Sequence, residues 1–198
     1  EALELRAEFD ARIKTLKNAI GVMQGRLVPK YQGRYQAHPV GNWEAEFLLA
    51  KEIGLNCIEF ILDLNEANNN PLIRNGGINE IKSIVNTSGV EVKTVCADYL
   101  MESPIHSNNL SNAQYSQKLF FKLINNVSSL GVTDIVIPCV DKSSLNGKSS
   151  EKRFVDMLKP VLEVAEHQGI NLSLETDLDP KQFKRLLNHF NSKRVTVN

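Results

Sequence analysis

Acidic side chains recur directly after the apolar, β-branched segments of this sequence, and Glu175 is the sharpest example. It follows the apolar segment 170–174 and precedes Thr176 and Asp177. A carboxylate at the end of a buried strand is costly unless it is paired, hydrogen-bonded or bound to a metal. Hard divalent cations prefer such oxygen ligands. Two interpretations stay open here: Glu175 is a metal ligand, or it forms a salt bridge to a neighbouring strand or loop.

Two further carboxylates qualify as candidate substrate-binding residues. Glu59 lies inside the segment Cys57-Ile58-Glu59-Phe60, where alternation places it on the face opposite to Ile58 and Phe60. We expect it to point into the interior of the fold, either as a substrate contact or as a member of a buried ion pair. Asp98 follows the apolar segment 90–96.

Polar residues after the first apolar segment form another candidate group. Gln24, Arg26, Lys30 and Tyr31 lie there and could hold a phosphate or sugar hydroxyls, although the pattern favours a solvated loop. Among the four histidines, His106 in Ser103-Pro104-Ile105-His106-Ser107 is the best candidate for a site residue. The sequence contains no HExxH, no GxSxG and no Cys-His zinc spacing.

The elements that would position these residues alternate between strands and helices. Six apolar, β-branched segments predict strands, at residues 19–23, 57–62, 90–96, 134–140, 170–174 and 194–197. Segments of helical period lie between them, as in Trp43, Phe47, Ala50 and Ile53. Gly54, Gly131 and Gly169 each stand before a strand, where a glycine suits the left-handed end of a helix. This order predicts βαβ units and a parallel sheet.

Two α/β architectures fit, a doubly wound open sheet and a (β/α)8 barrel. The sequence after the first strand, Gln24-Gly25-Arg26-Leu27, lacks the glycine-rich turn of a nucleotide-binding open sheet. We therefore predict a (β/α)8 TIM barrel at residues 18–198, of which about six of the eight βα units are present. Because the chain ends at its sixth strand, we expect it to be truncated or incomplete. Residues 1–17 predict a separate amphipathic helix, with Leu5, Phe9, Ile13 and Leu16 on one face.

Composition narrows the classes of function. Lysine and arginine number 23, as do aspartate and glutamate, so the net charge is zero and we expect no nucleic-acid partner. No apolar run reaches the length of about 18 residues that a membrane span needs, and no apolar signal core opens the chain. The odd set of cysteines, Cys57, Cys96 and Cys139, predicts free buried thiols in a reducing, cytoplasmic location.

Three segments resemble the sugar phosphate isomerase/epimerase group of the xylose-isomerase-like TIM barrels. The first is Ile20-Gly21-Val22-Met23-Gln24-Gly25-Arg26-Leu27. The second runs from Trp43 and Phe47 through Ala50-Lys51-Glu52-Ile53-Gly54-Leu55-Asn56-Cys57-Ile58-Glu59-Phe60. The third is the strand Leu172-Ser173-Leu174-Glu175. The resemblance covers residues 19–198. The pattern of the first strand is more specific to this group than the Gly-Leu-x-x-Ile-Glu pattern that leads into the second strand.

The resemblance implies a divalent metal (Mn, Mg, Co or Zn) at the C-terminal mouth of the barrel. Members bind it through a Glu after strand five, an Asp after strand six, a His after strand seven and a Glu after strand eight. Glu175 matches the first ligand, and the others are expected beyond Asn198. The implied reaction converts a sugar or sugar phosphate through an enediolate, with two glutamates on opposite faces of a ketose as acid and base. On this basis Glu175 is one of the two, and the chain alone is expected to be inactive.

Other classes remain as alternatives. A carbohydrate-binding or structural barrel without metal would leave Glu175 as a purely structural residue. An apurinic-endonuclease-like metal hydrolase shares the barrel, but zero net charge and four histidines disfavour it. An open sheet complete in six strands is the third, and the spatial order of the strands decides it. A homo-oligomer is a further expectation from the resemblance.

Overall fold

The computed structural model describes residues 19–198, so the helix predicted at residues 1–17 lies outside the described part. Helices separate the six strands, one between each pair except that α3 and α4 both lie between β3 and β4, and short 3-10 helices lie at Ala67–Asn69, Ser128–Leu130 and Asp141–Ser143. The strands are β1 (Gly21–Met23), β2 (Cys57–Ile61), β3 (Glu91–Cys96), β4 (Asp134–Cys139), β5 (Asn171–Thr176) and β6 (Val195–Val197). The helices are α1 (Trp43–Glu52), α2 (Gly77–Ser88), α3 (Tyr99–Glu102), α4 (Leu110–Val127), α5 (Lys148–Gln168) and α6 (Pro180–Asn188).

The strands form one parallel sheet in the order β1-β2-β3-β4-β5-β6. Each strand pairs with the next one along the chain, for example Met23 with Glu59 in β2 and Leu174 with Val197 in β6. A doubly wound sheet reverses its strand order at a switch point. Sequential order is that of a (β/α)8 barrel wall, so the open-sheet alternative is excluded.

The two faces of the sheet differ in character. One face carries Ile58, Phe60, Ile135 and Leu172, all fully buried, and forms the main core with the helices. The other face has a smaller apolar cluster of Ile61, Cys96 and Val136, with Met23 packed against it. Burying one large apolar side chain stabilises the fold by about 1.5–3 kcal/mol, so the helix-side core holds the barrel wall together.

Helices end where the sequence predicts. Gly54, Gly131 and Gly169 have φ values of 82°, 77° and 72°, and Gly89 ends α2 in the same way. Each of the six predicted strands is present, with bounds that differ by at most two residues from the predicted ones. One detail differs: Ile53, placed on the buried stripe of α1, is 62% exposed, because the helix ends at Glu52.

The three cysteines are free, as predicted. Cys96 and Cys139 are buried, whereas Cys57 is only half-buried because it lies at the start of β2. Among residues 19–198, no helix is both long enough and apolar enough to cross a membrane.

Candidate active site

Parallel strands bring the polar residues at their carboxyl ends to one edge of the sheet, which we call the mouth and define by Asp63, Asp98 and Glu175. Asp63 and Asp98 follow the neighbouring strands β2 and β3. The backbone N–H of Tyr99 donates to the carbonyl of Leu62 over 2.7 Å. This bond fixes side by side the segments that follow the carboxyl ends of β2 and β3, which we call the exits of these strands. In barrel enzymes this edge carries the active site.

Glu175 lies near the end of β5, in register with Pro138 of β4. Its side chain is exposed. Within residues 19–198 it forms no hydrogen bond and no ion pair, so the salt-bridge interpretation finds no partner in the described part of the chain. The position leaves a carboxylate available to a ligand.

Asp98 has the most perturbed carboxyl group of the mouth. It is 8% exposed, and its pKa is raised to about 6. Burial is the main cause and the charge of Asp63 adds to it, whereas Arg34 lowers the pKa. Glu102 and Glu175 raise it further. Acidic groups of three strand exits therefore influence one another across this edge.

Arg34 provides a positive charge at the mouth that the sequence did not single out. Its Nη2 lies 2.9 Å from Oδ2 of Asp63, whose side chain is only 4% exposed. The loop between β1 and α1 brings Arg34 there, because an isolated bridge between Tyr31 and Arg34 folds the loop back on itself. Arg34 is 8 residues downstream of Arg26, and no local motif distinguishes it.

Glu59 points to the inner face of the sheet, as its alternation predicts. Its neighbours Ile58 and Phe60 are in the helix-side core, whereas Glu59 is half-buried on the opposite face. Burial raises its pKa, a hydrogen bond with Thr94 lowers it, and the charges of Glu175 and Asp134 raise it. Within residues 19–198 Glu59 forms no ion pair, and Thr94 of β3 lies in register beside it.

Gln24 is fully buried at the end of β1. Its Oε1 accepts the N–H of Ile61 and meets Nδ1 of His38, each over 3.1 Å. His38 lies between Trp43 and Phe60, and burial lowers its pKa to about 4, so the ring is neutral near pH 7. Gln24 thus extends the pairing of β1 with β2 through its side chain. The Nε2 atom of the same amide is buried and has no hydrogen-bond partner within the described residues.

The remaining candidates, Arg26 and His106, make no contact with Glu175 and interact with other parts of the fold. Arg26 is exposed and forms one long hydrogen bond, 3.3 Å, to Oε1 of Gln36. His106 is 6% exposed and packs edge-on against Phe154 in the helix-side core. Burial and the charge of Arg153 lower its pKa to about 4. The structure therefore groups Asp98 with Glu175 and places His106 in a packing position.

The donor chemistry of the mouth suits a hard divalent cation in part. Glu175 offers unpaired carboxylate oxygens in acidic surroundings, which fits such an ion. Within residues 19–198, however, no group of three or more His, Cys, Asp or Glu side chains has the geometry to hold a metal. The described part of the chain therefore offers Glu175 as a candidate ligand but no complete set of metal ligands.

A parallel sheet in sequential order with an acidic mouth defines a barrel of the (β/α)8 class. Residues 47–198 match the family described as xylose isomerase-like TIM barrel, and the chain belongs to that family. No curated protein sequence is significantly similar to the chain.

Solved structures with this fold include several sugar epimerases. The 3-keto-D-glucoside 4-epimerase of E. coli is 18% identical, with a TM-score of 0.65 over 91% of this chain and 67% of that one. A D-psicose 3-epimerase, solved in the presence of D-fructose, is 13% identical, with a TM-score of 0.66 over 91% and 62%. A xylose isomerase-like TIM barrel protein from Mycobacterium smegmatis in complex with magnesium is 15% identical, with a TM-score of 0.65 over 92% and 64%.

At these identities the likeness establishes the fold. The chain spans between 62% and 67% of the length of these three proteins. The predicted fold, a TIM barrel present in part, is therefore confirmed.

Proposed function

We propose that the full-length protein is a divalent-metal-dependent isomerase or epimerase of a sugar or sugar phosphate. The observation that carries the proposal is Glu175, an exposed carboxylate near the end of β5 with no partner within residues 19–198. The names of the similar structures, which include three epimerases of different sugars, support the same class of reaction.

Glu175 has two roles in this proposal. Its carboxylate is one ligand of the cation, and it takes or returns a proton at the carbon next to the substrate carbonyl. A bound divalent ion supplies Lewis-acid polarisation of that carbonyl. A second acid or base is needed on the opposite face of the sugar, and we expect it outside the described residues.

The other predicted residues act by binding. Asp98 lies at the mouth beside the Asp63 exit, where it can accept hydrogen bonds from sugar hydroxyls, and Arg26 lies in the loop after β1. Glu59 lies on the inner face of the sheet, where we propose that it contacts substrate or supports the residues that do. Direct contacts of the buried Gln24 and His106 with substrate stay predictions.

The cellular setting follows from the same reasoning. Three free cysteines suit a reducing compartment, so we propose a cytoplasmic enzyme. Zero net charge gives no reason to expect nucleic acid as a partner. A homo-oligomer stays a prediction.

The proposal is tested by proton exchange. The full-length protein, supplied with Mn²⁺, is incubated in D₂O with a panel of ketoses and their phosphate esters. Proton NMR should show loss of the signal at a carbon next to the carbonyl and the appearance of an isomer. Glu175→Gln should abolish both, whereas Glu163→Gln, at an exposed position of α5, should not. Exchange at the wild-type rate in Glu175→Gln would contradict the proposal.

A further inference from the structure

The loop between β1 and α1 holds Arg34 over the exit of β2. The N–H of Arg34 donates to the carbonyl of Tyr31 over 3.0 Å, which closes a tight turn. The adjacent Gln32 accepts a hydrogen bond from Nδ2 of Asn65 over 3.2 Å, and Asn65 lies two residues after Asp63. One hydrogen bond lies within the loop and the other joins the loop to the segment after β2, and together they fix the position of Arg34.

The ion pair of Arg34 with Asp63 leaves most of the guanidinium unused. The two atoms that meet, Nη2 and Oδ2, are inaccessible to solvent, whereas the Arg34 side chain is 38% exposed. A guanidinium has five N–H donors. Within residues 19–198, Asp63 is the one partner that the Arg34 side chain has. Its remaining donors are available to a ligand.

Asp98 supplies acceptors at the end of the neighbouring strand β3. The Tyr99-to-Leu62 backbone hydrogen bond joins the exits that carry Asp98 and Asp63. The Asp98 carboxylate has no hydrogen-bond partner within the described residues, although it is only 8% exposed. Asp63 and Arg34 both influence its pKa, in opposite directions, which agrees with this proximity.

A guanidinium beside a carboxylate suits hydroxyl groups, because each hydroxyl can accept from the first and donate to the second. A phosphate at this place would meet Asp63 and Asp98 against the single charge of Arg34, a balance of 1 − 2 = −1 among these three residues when both carboxylates are ionised. A phosphate accepts hydrogen bonds and is repelled by carboxylates, so this part of the mouth disfavours it.

We infer that Arg34, Asp63 and Asp98 form a subsite that binds adjacent hydroxyl groups of an uncharged portion of the substrate, with Arg34 as donor, Asp98 as acceptor and Asp63 as the residue that positions Arg34. The inference rests on the proposed function, since it assigns a role within the same mouth. It narrows the substrate class, because any phosphate of the substrate must lie away from the exits of β2 and β3.

The test compares Arg34→Gln and Asp98→Asn with Arg74→Gln in the full-length protein. Arg74 is a matched control because its ion pair with Glu80 is also partly exposed and includes no carboxylate of the mouth. We expect KM for an unphosphorylated ketose to rise at least tenfold in both mouth variants while kcat changes less than threefold. Arg34→Lys should recover part of the loss, and Arg74→Gln should leave both constants unchanged.

Saturation-transfer NMR with D-fructose and other ketohexoses, at fixed protein concentration, separates this inference from the proposed function. If the wild-type protein binds a ketohexose but converts none, and Arg34→Gln no longer binds it, the result would support the subsite and contradict the isomerase proposal. Turnover with unchanged KM in Arg34→Gln and Asp98→Asn would overturn the subsite alone. Absence of both binding and turnover in the wild-type protein would overturn both.

Discussion

Glu46 in α1 accepts the backbone N–H of Gly25 with both of its carboxylate oxygens, over 2.8 Å each. One of these oxygens also accepts the N–H of Leu27 over 3.0 Å. The side chain is fully buried and has no cationic partner within residues 19–198. Backbone donors therefore compensate its charge, and the first helix fixes the start of the loop that carries Arg26 and Arg34.

Replacing Glu46 with Gln should destabilise the protein by about 2–3 kcal/mol, because an amide has one acceptor oxygen where the carboxylate offers two to the N–H groups of Gly25 and Leu27. Urea unfolding followed by circular dichroism measures the change. Glu44→Gln, on an exposed position of the same helix, is the control and should change the free energy of unfolding by less than about 0.5 kcal/mol. Equal effects of the two substitutions would contradict this account of the loop.

Gly25 itself allows no side chain. Its φ is +88°, and an added Cβ would lie 2.5 Å from the carbonyl oxygen of Ala37. We expect Gly25→Ala to cost more than about 3 kcal/mol, since backbone atoms must move. Gly33→Ala in the same loop is the control. Its φ is +79° but nothing lies within 4 Å of an added Cβ, so only the conformational cost of about 1 kcal/mol applies. Comparable losses at the two positions would show that the close approach to Ala37 is unimportant.

Acidification should destabilise the fold through two buried histidines. His38 and His106 have pKa values lowered to about 4, mainly by burial, against an ordinary value of 6.5. Below pH 6.5 the unfolded chain takes up protons that the folded protein does not. Stability is therefore lost as the pH falls towards 4, by up to about 3 kcal/mol for each ring. Asp98 acts in the opposite direction between pH 6 and 4, because its raised pKa makes the folded state the better proton acceptor.

Urea midpoints measured from pH 7 to pH 4.5 test this prediction. His106→Gln should flatten the decline, since a glutamine does not titrate, and Asp98→Asn should steepen it by removing the opposing group. His167→Gln, at an exposed position near the end of α5, is the control and should leave the slope unchanged. Identical slopes in wild type and His106→Gln would refute the assignment of the decline to this ring.

The thiols should differ in reactivity because they differ in burial. Burial raises the pKa of Cys57 modestly and that of Cys96 and Cys139 strongly. We expect iodoacetamide to alkylate half-buried Cys57 first and the other two only after unfolding. Peptide mass spectrometry over a time course measures the order, and Cys57→Ser should remove the early phase. Early modification of Cys96 or Cys139 would contradict the burial described here.

The sequence predicts the strands and the helix ends well because local patterns determine them. Alternation identifies both faces of β2, and Gly54, Gly131 and Gly169 mark helix ends by backbone freedom alone. The strand order also follows, since sequential βαβ units without a glycine-rich turn favour a barrel.

The site is less accessible to sequence reasoning because it depends on contacts between distant segments. Arg34 meets Asp63 across 29 residues, and Glu46 meets Gly25 across 21. Neither pair has a spacing motif. The sequence predicts a loop at His106, yet the ring of this residue is packed against Phe154, 48 residues further along the chain. Periodicity therefore identifies the layers of the fold but not the side chains that meet at the mouth.

The metal content of the full-length protein tests the central claim most directly. Elemental analysis after purification without chelator compares wild type, Glu175→Gln and the control Glu163→Gln. We predict about one divalent ion per chain in the wild type and the control, and its loss in Glu175→Gln. No metal in any of the three, even after added Mn²⁺, would contradict the account and favour a carbohydrate-binding or structural barrel.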